Sequence, residues 1–164
     1  MTNISLIVGN VGAGKSTYAS NLAQKTNAYI FSGDQWFKTL FVPDMPNPPS
    51  YEWALQRTER IEAQICLEAL KMLARDIPVI LDLGFFAQKQ RTRVMTYFLE
   101  RQHSPQLHYL AVEKDTRWQR VDQRNTMETE TFQFHVSRQT FDFCETLFEP
   151  LDVEELRGAV LIES

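Results

Sequence analysis

Apolar positions along the chain alternate between two periods, and each change of period marks an element boundary. Ile4-Ser5-Leu6-Ile7-Val8 is a short, largely β-branched run stopped by Gly9, the pattern of a strand buried on both faces. From Lys15, the residues Tyr18, Ala19, Leu22 and Ala23 recur at helical spacing to about Thr26, and residues 28–32 return to a strand. Residues 34–41 predict a short helix, after which Pro43, Pro46, Pro48 and Pro49 hold a connection that cannot be helical throughout. Ser50 then caps a predicted long helix to about Arg75, with Ala54, Ile61, Ile65, Ala69, Met72 and Leu73 on one face.

The alternation continues downstream. Residues 79–84 read as a third strand carrying Asp82 near its carboxyl end, and residues 87–101 as a helix with Val94, Tyr97 and Phe98 inward. Residues 106–112 give a fourth strand, Asp115 caps a basic helix to about Arg124, and the polar run 125–130 predicts a mobile loop. Ser137 is placed to cap the last predicted helix, with Val136 and Phe141 in the positions of a hydrophobic staple. Residues 159–162 close as a fifth strand. Strands separated by helices predict an α/β fold: a mostly parallel sheet covered on both faces, binding ligands at the carboxyl ends of its strands.

Composition narrows the class. With 164 residues, 43% hydrophobic and 23% charged, the chain reads as one globular domain over residues 1–164. Seventeen basic against 21 acidic residues leave a net charge of -4, which excludes a broad basic field for long nucleic acid. Cys66 and Cys144 are too few for a secreted disulfide framework and read as reduced core residues. Apolar runs too short to cross a membrane, and a start without a basic, apolar leader, give cytoplasmic as the expected location.

The most specific chemistry lies in Gly9-Asn10-Val11-Gly12-Ala13-Gly14-Lys15-Ser16, which fits the phosphate-loop pattern G-x-x-x-x-G-K-[ST] between a strand and a helix. Its glycines let backbone N–H groups converge on phosphate oxygens at the helix's positive end. Lys15 is then placed for the β- and γ-phosphates, Ser16 for Mg²⁺ and Thr17 for the α-phosphate of a nucleotide, read as ATP. Asp34 opens the element after the second strand, where it serves either as the group that takes a hydroxyl proton or as a helix cap beside Ser32 and Gly33. Asp82, in an apolar strand, calls for a partner: a metal, a substrate hydroxyl, or local backbone N–H groups. Arg120 and Arg124 share a helix face suited to a lid over phosphates, and Arg117 is assigned to the surface. Arg91 is placed on the acceptor side. Trp36, Phe37, Tyr51, Trp53, Phe85 and Phe86 flank the acceptor mouth and read as core or as stacking groups.

On Gly9 to Thr17, Ser32-Gly33-Asp34, Val79 to Gly84, Arg120 through Asn125, and Phe141-Asp142-Phe143 followed by Glu149-Pro150, the chain resembles the AAA_33 group of P-loop kinases. Relatives of that group are polynucleotide 5′-hydroxyl kinases, chloramphenicol phosphotransferase and zeta-toxin-like sugar-nucleotide kinases. The resemblance implies a three-layer P-loop NTPase sandwich with strand order 2-3-1-4-5. It also implies ATP and Mg²⁺, Asp34 as the acceptor-activating acid, an acceptor-side helical segment at 43–75 and a lid at 115–131. These families usually carry an arginine three residues after the aspartate; here that residue is Phe37, with Lys38 next. The expected activity is therefore transfer of the γ-phosphate of ATP to a hydroxyl of a small molecule, nucleotide or nucleotide-sugar, by a monomer or homodimer. A 5′-hydroxyl kinase acting on nucleic-acid ends and a non-catalytic ATP-dependent switch are the alternatives.

Overall fold

The computed structural model describes residues 3–127 and 135–163. The strands are β1 (Ile4–Val8), β2 (Tyr29–Ser32), β3 (Val79–Asp82), β4 (Pro105–Leu110) and β5 (Val160–Ile162). The helices are α1 (Lys15–Thr26), α2 (Gly33–Leu40), α3 (Tyr51–Leu73), α4 (Gln88–Leu99), α5 (Lys114–Met127), α6 (Arg138–Leu147) and α7 (Val153–Gly158). All strand pairs are parallel, in the order β2-β3-β1-β4-β5 that the resemblance implied.

Strand alternation divides the interior into two layers. Leu6, Val8, Val79 and Leu81 face a large core completed by Ile61, Ile65 and Ala69 of α3 and Val94 and Phe98 of α4. Ile7, Ile80 and Leu110 face the other way, against Ala13 of the glycine loop and Ala19 of α1. Each fully buried leucine or isoleucine contributes about 1.5–3 kcal/mol, so the two layers together supply most of the apolar stabilisation around β1 and β3.

Helix starts follow the capping chemistry. Ser32, Ser50 and Ser137 each accept a hydrogen bond from the backbone N–H three residues on. Asp115, expected as a cap, lies instead in the first turn of α5. That helix continues to Met127, through the first part of the expected loop; residues 128–130 of that loop and 128–131 of the expected lid fall outside the described residues. Helix α7 is an addition to the sequence reading. It is short, and a reciprocal capping box between Asp152 and Glu155 starts it. No helix among the described residues is long and apolar enough to cross a membrane.

Register then builds the site. Ser32 of β2 pairs with Asp82 of β3 at the carboxyl edge of the sheet. That pairing delivers Asp82, and the Asp34 that follows Ser32 by two residues, to the edge where β1 ends in the phosphate loop.

Candidate active site

The phosphate loop turns on left-handed glycines. Gly12 and Gly14 have φ of 80° and 90°, and a β-carbon at Gly12 would run into the Arg117 carbonyl. Behind the loop, Asn10 donates through its side-chain amide to Glu145 of α6 and accepts from the Val11 N–H at 2.7 Å. Arg117 completes this brace: its guanidinium donates to the carbonyls of Val112 at 2.8 Å and Val11 at 3.1 Å, and pairs with Glu145 through two bonds of 2.7 and 3.0 Å. Arg117 is 5% exposed, which corrects its assignment to the surface. Its helical spacing with Arg120 and Arg124 places it on that face but is silent about the partner 28 residues away that holds it inside.

A cavity of about 270 Å³ opens in front of the loop, lined by Lys15, Ser16 and Thr17, by Asp34 and Asp82, and by Arg124. The half-buried Lys15 folds its Nζ back to the Asn10 carbonyl at 3.2 Å, with the Phe86 ring centroid 6.0 Å away. Burial lowers the Lys15 pKa, opposed by the charges of Asp82 and Asp34. Burial likewise raises that of Asp82, against the pull of Lys15 and the hydrogen bond that Ser16 Oγ donates at 2.9 Å.

Ser16 and Asp82 form a pair of hard oxygen donors that suits Mg²⁺, a cation that takes one or two protein ligands and fills its shell with water and phosphate oxygens. Among the described residues no group of three or more His, Cys, Asp and Glu could hold a metal by itself, so the phosphates of a nucleotide would complete such a site.

Arg124 reaches the cavity from α5. Its Nε is buried without a hydrogen-bond partner among the described residues, a donor positioned for an incoming anion. Arg120 Nη1 donates weakly to the Ala13 carbonyl at 3.4 Å. The two arginines and Thr17 also line a neighbouring recess of about 380 Å³ between the loop and α5. Across the undescribed segment, the Asn125 amide bonds the Val136 backbone in both directions, at 2.7 and 3.1 Å, and Val136 itself lines the phosphate cavity.

On the opposite side, Asp34 is exposed and also lines a cavity of about 340 Å³ between α2 and α3. Phe37 belongs to that cavity, with the Trp53 ring edge-on behind it. Of the other aromatics, Phe86 lines the phosphate cavity, Phe85 is fully buried, and Tyr51 packs at the surface on Phe143.

Arg91 does not join either cavity. It is 0% exposed, with its fork spent on Glu155 at 2.7 and 2.9 Å and on the carbonyls of Phe85, Phe86, Glu149 and Pro150. The acceptor-side placement is therefore corrected: no N–H of this guanidinium is left for a substrate. What it holds is the turn after β3, where Gly84 and Phe85 both take positive φ, and through that turn it places Phe86 beside Lys15. Glu145 and Cys144 are the site neighbours that sequence reasoning passed over as chemistry, whereas Phe86 is already among the core or stacking aromatics. Glu145 alone left a signal, on the helix between Phe143 and Glu149 that carried part of the resemblance.

Residues 4–151 match AAA_33, described as an AAA domain. Among solved structures, the chain is similar to a sugar kinase from Janibacter sp. HTCC2649, at 12% identity and a TM-score of 0.65, over 99% of this chain and 85% of that one. It is also similar to Chaetomium thermophilum Kti12 in complex with ADP-AlF3, at 13% identity and a TM-score of 0.72, over 97% and 88% of the two chains. Mycobacterium tuberculosis APS kinase in complex with AMPPNP and APS matches at 14% identity and a TM-score of 0.59, over 78% and 73%. At these identities the likeness is one of fold. No curated protein sequence matches the chain.

Proposed function

The chain belongs to the AAA_33 family, and from that premise we propose that it is an ATP-dependent phosphotransferase that moves the γ-phosphate to a hydroxyl of a small molecule, nucleotide or nucleotide-sugar. One observation carries the reading: Asp34 lies on the shared wall of the phosphate cavity and the cavity between α2 and α3. A carboxylate there meets a hydroxyl from one side and a phosphate from the other, the arrangement that in-line transfer requires.

In this reading the loop amides from Gly9 through Gly14 and the Lys15 ammonium hold the β- and γ-phosphates, and the nucleoside extends past Thr17 into the recess beside Arg120. Ser16 and Asp82 would hold Mg²⁺, which neutralises phosphate charge when bound. Asp34 orients the acceptor hydroxyl and takes its proton. The acceptor oxygen forms its bond to the γ-phosphorus as the bond to the β,γ-bridging oxygen breaks and leaves with ADP. Arg124, with Arg120 beside it, spreads its guanidinium charge over the moving phosphoryl group and reduces access of water.

The test is incubation of γ-labelled ATP and Mg²⁺ with a fractionated cell extract and, separately, a 5′-hydroxyl oligonucleotide, comparing wild type with Lys15→Ala. Label carried by a small-molecule fraction and lost in the variant supports the proposal. Label on the oligonucleotide moves the assignment to a 5′-hydroxyl kinase. Nucleotide binding without transfer to any acceptor overturns the kinase reading in favour of a switch.

A further inference from the structure

The cavity on the far side of Asp34 has a chemistry that the phosphotransferase reading leaves open. Phe37, Val42, Met45, Ala54, Ile61 and Leu83 form its walls, and among the described residues no lysine or arginine lines it. Its polar members besides Asp34 are Thr58 and Glu62. Thr58 Oγ1 donates to the Ala54 carbonyl at 3.0 Å, which leaves its lone pairs to accept. Glu62 is 5% exposed and already satisfied: Arg93 donates to it at 2.6 and 2.9 Å from outside the cavity, and Gln90 at 2.7 Å. Arg57 of α3 does not line the cavity: its guanidinium carbon lies 3.9 Å from the Trp53 ring centroid and it donates to the Trp53 carbonyl at 3.0 Å. An anion entering here would lose its water and meet the Asp34 carboxylate, with the Arg93 cation already paired to Glu62, a large desolvation cost without compensation.

We propose that this cavity selects an electrically neutral hydroxyl compound with an apolar ring body, and rejects acceptors that already carry a phosphate or carboxylate. The proposal rests on the phosphotransferase reading for the direction in which the hydroxyl points. Its ligand preference is a property of the cavity and is measured without any transfer. Phe37 is the selecting residue: its ring occupies the wall one helical turn after Asp34, where a cation would otherwise neutralise an anionic ligand.

The test uses a matched pair of probes, 6-(hydroxymethyl)-2-naphthamide and 6-(hydroxymethyl)-2-naphthoate, which differ by a charge at the end remote from the hydroxyl. Binding is followed by tryptophan and naphthyl fluorescence on wild type, Ala54→Phe and Phe37→Arg. ATP binding, at a cavity that neither substituted residue lines, controls for folding of each variant. The expected result is that wild type holds the amide at least about tenfold more tightly than the carboxylate. Ala54→Phe fills the cavity and weakens the amide by a similar factor, and Phe37→Arg reverses or abolishes the preference. Equal or tighter binding of the carboxylate, failure of the amide to bind, amide binding indifferent to Ala54→Phe, or a preference unchanged by Phe37→Arg overturns the proposal. Transfer of label to an anionic acceptor would sink this inference while leaving the kinase reading intact. A wild type that selects the amide but transfers phosphate to nothing does the reverse.

Discussion

Ser16 Oγ donates a 2.9 Å hydrogen bond to Asp82 Oδ2 and so joins the phosphate loop to the end of β3 across 66 positions of sequence. Asp82 is 8% exposed, and burial raises its pKa. The folded chain therefore holds this proton more tightly than the unfolded chain, and the group's contribution to stability grows as pH falls toward its raised pKa. Above that pKa the cost of the buried carboxylate is fully present. Asp82→Asn is expected to raise the melting temperature of the nucleotide-free protein at neutral pH by about 2–4 °C, equivalent to about 1 kcal/mol, while weakening Mg²⁺-dependent nucleotide binding. Melting curves of both proteins between about pH 5 and about pH 8 check this: the gap should narrow toward acid.

Lys15 stands in the complementary position. Its ammonium is half-buried with its pKa lowered, and the Asn10 carbonyl is its hydrogen-bond partner. A phosphate oxygen is a stronger partner, and a hydrogen bond between charged groups is worth about 1.5–3 kcal/mol. Lys15→Met should reduce ATP affinity by about 10- to 100-fold with little loss of stability, read by calorimetric titration and thermal melting.

The brace behind the loop makes a different prediction. Arg117 and Glu145 form a largely buried ion pair that also fixes Asn10 and the Val11 carbonyl. Glu145→Gln keeps its shape but removes the charge opposite Arg117, at an expected cost of about 2–3 kcal/mol, the lower range because Glu145 is partly exposed. If the pair also sets the loop, ATP affinity falls in the protein that remains folded, and a melting shift with unchanged ATP affinity would limit the pair to stability.

Arg117 and Arg91 show where sequence stops being informative. The parallel α/β fold, the glycine loop and the placement of Asp34 and Asp82 at one sheet edge were legible, because periodicity, capping residues and strand direction are local properties. Arg91 and Arg117 were not. Arg117 reads from its helical neighbours as a surface residue and Arg91 as an acceptor-side group, but their partners, Glu145 and Glu155, lie 28 and 64 residues downstream. Helix α7 carried its own signal in Asp152 and Glu155, yet at six residues it is too short to show a period. The apolar cavity likewise arises only when α2 and α3 are brought together.

Arg91 supplies a test that separates support from chemistry. Arg91→Met leaves Glu155 and several carbonyls without their donor, at an expected cost of about 3–5 kcal/mol. A residue that acts by holding the Phe85–Phe86 turn lowers the melting temperature and disturbs nucleotide binding through Phe86. A residue that bound the acceptor would instead raise KM for the acceptor at unchanged stability.

In the proposed reaction Asp34 serves a hydroxyl on one side and a phosphate on the other. Asp34→Asn keeps the size and the helix start and removes the proton acceptor, so one protein reports on both sides. The measurement is transfer from γ-labelled ATP to the acceptor fraction, alongside the ATP dissociation constant. The expected result is ATP affinity within about twofold of wild type and transfer reduced by about 10²–10⁴-fold. Undiminished transfer by the Asn variant would contradict it.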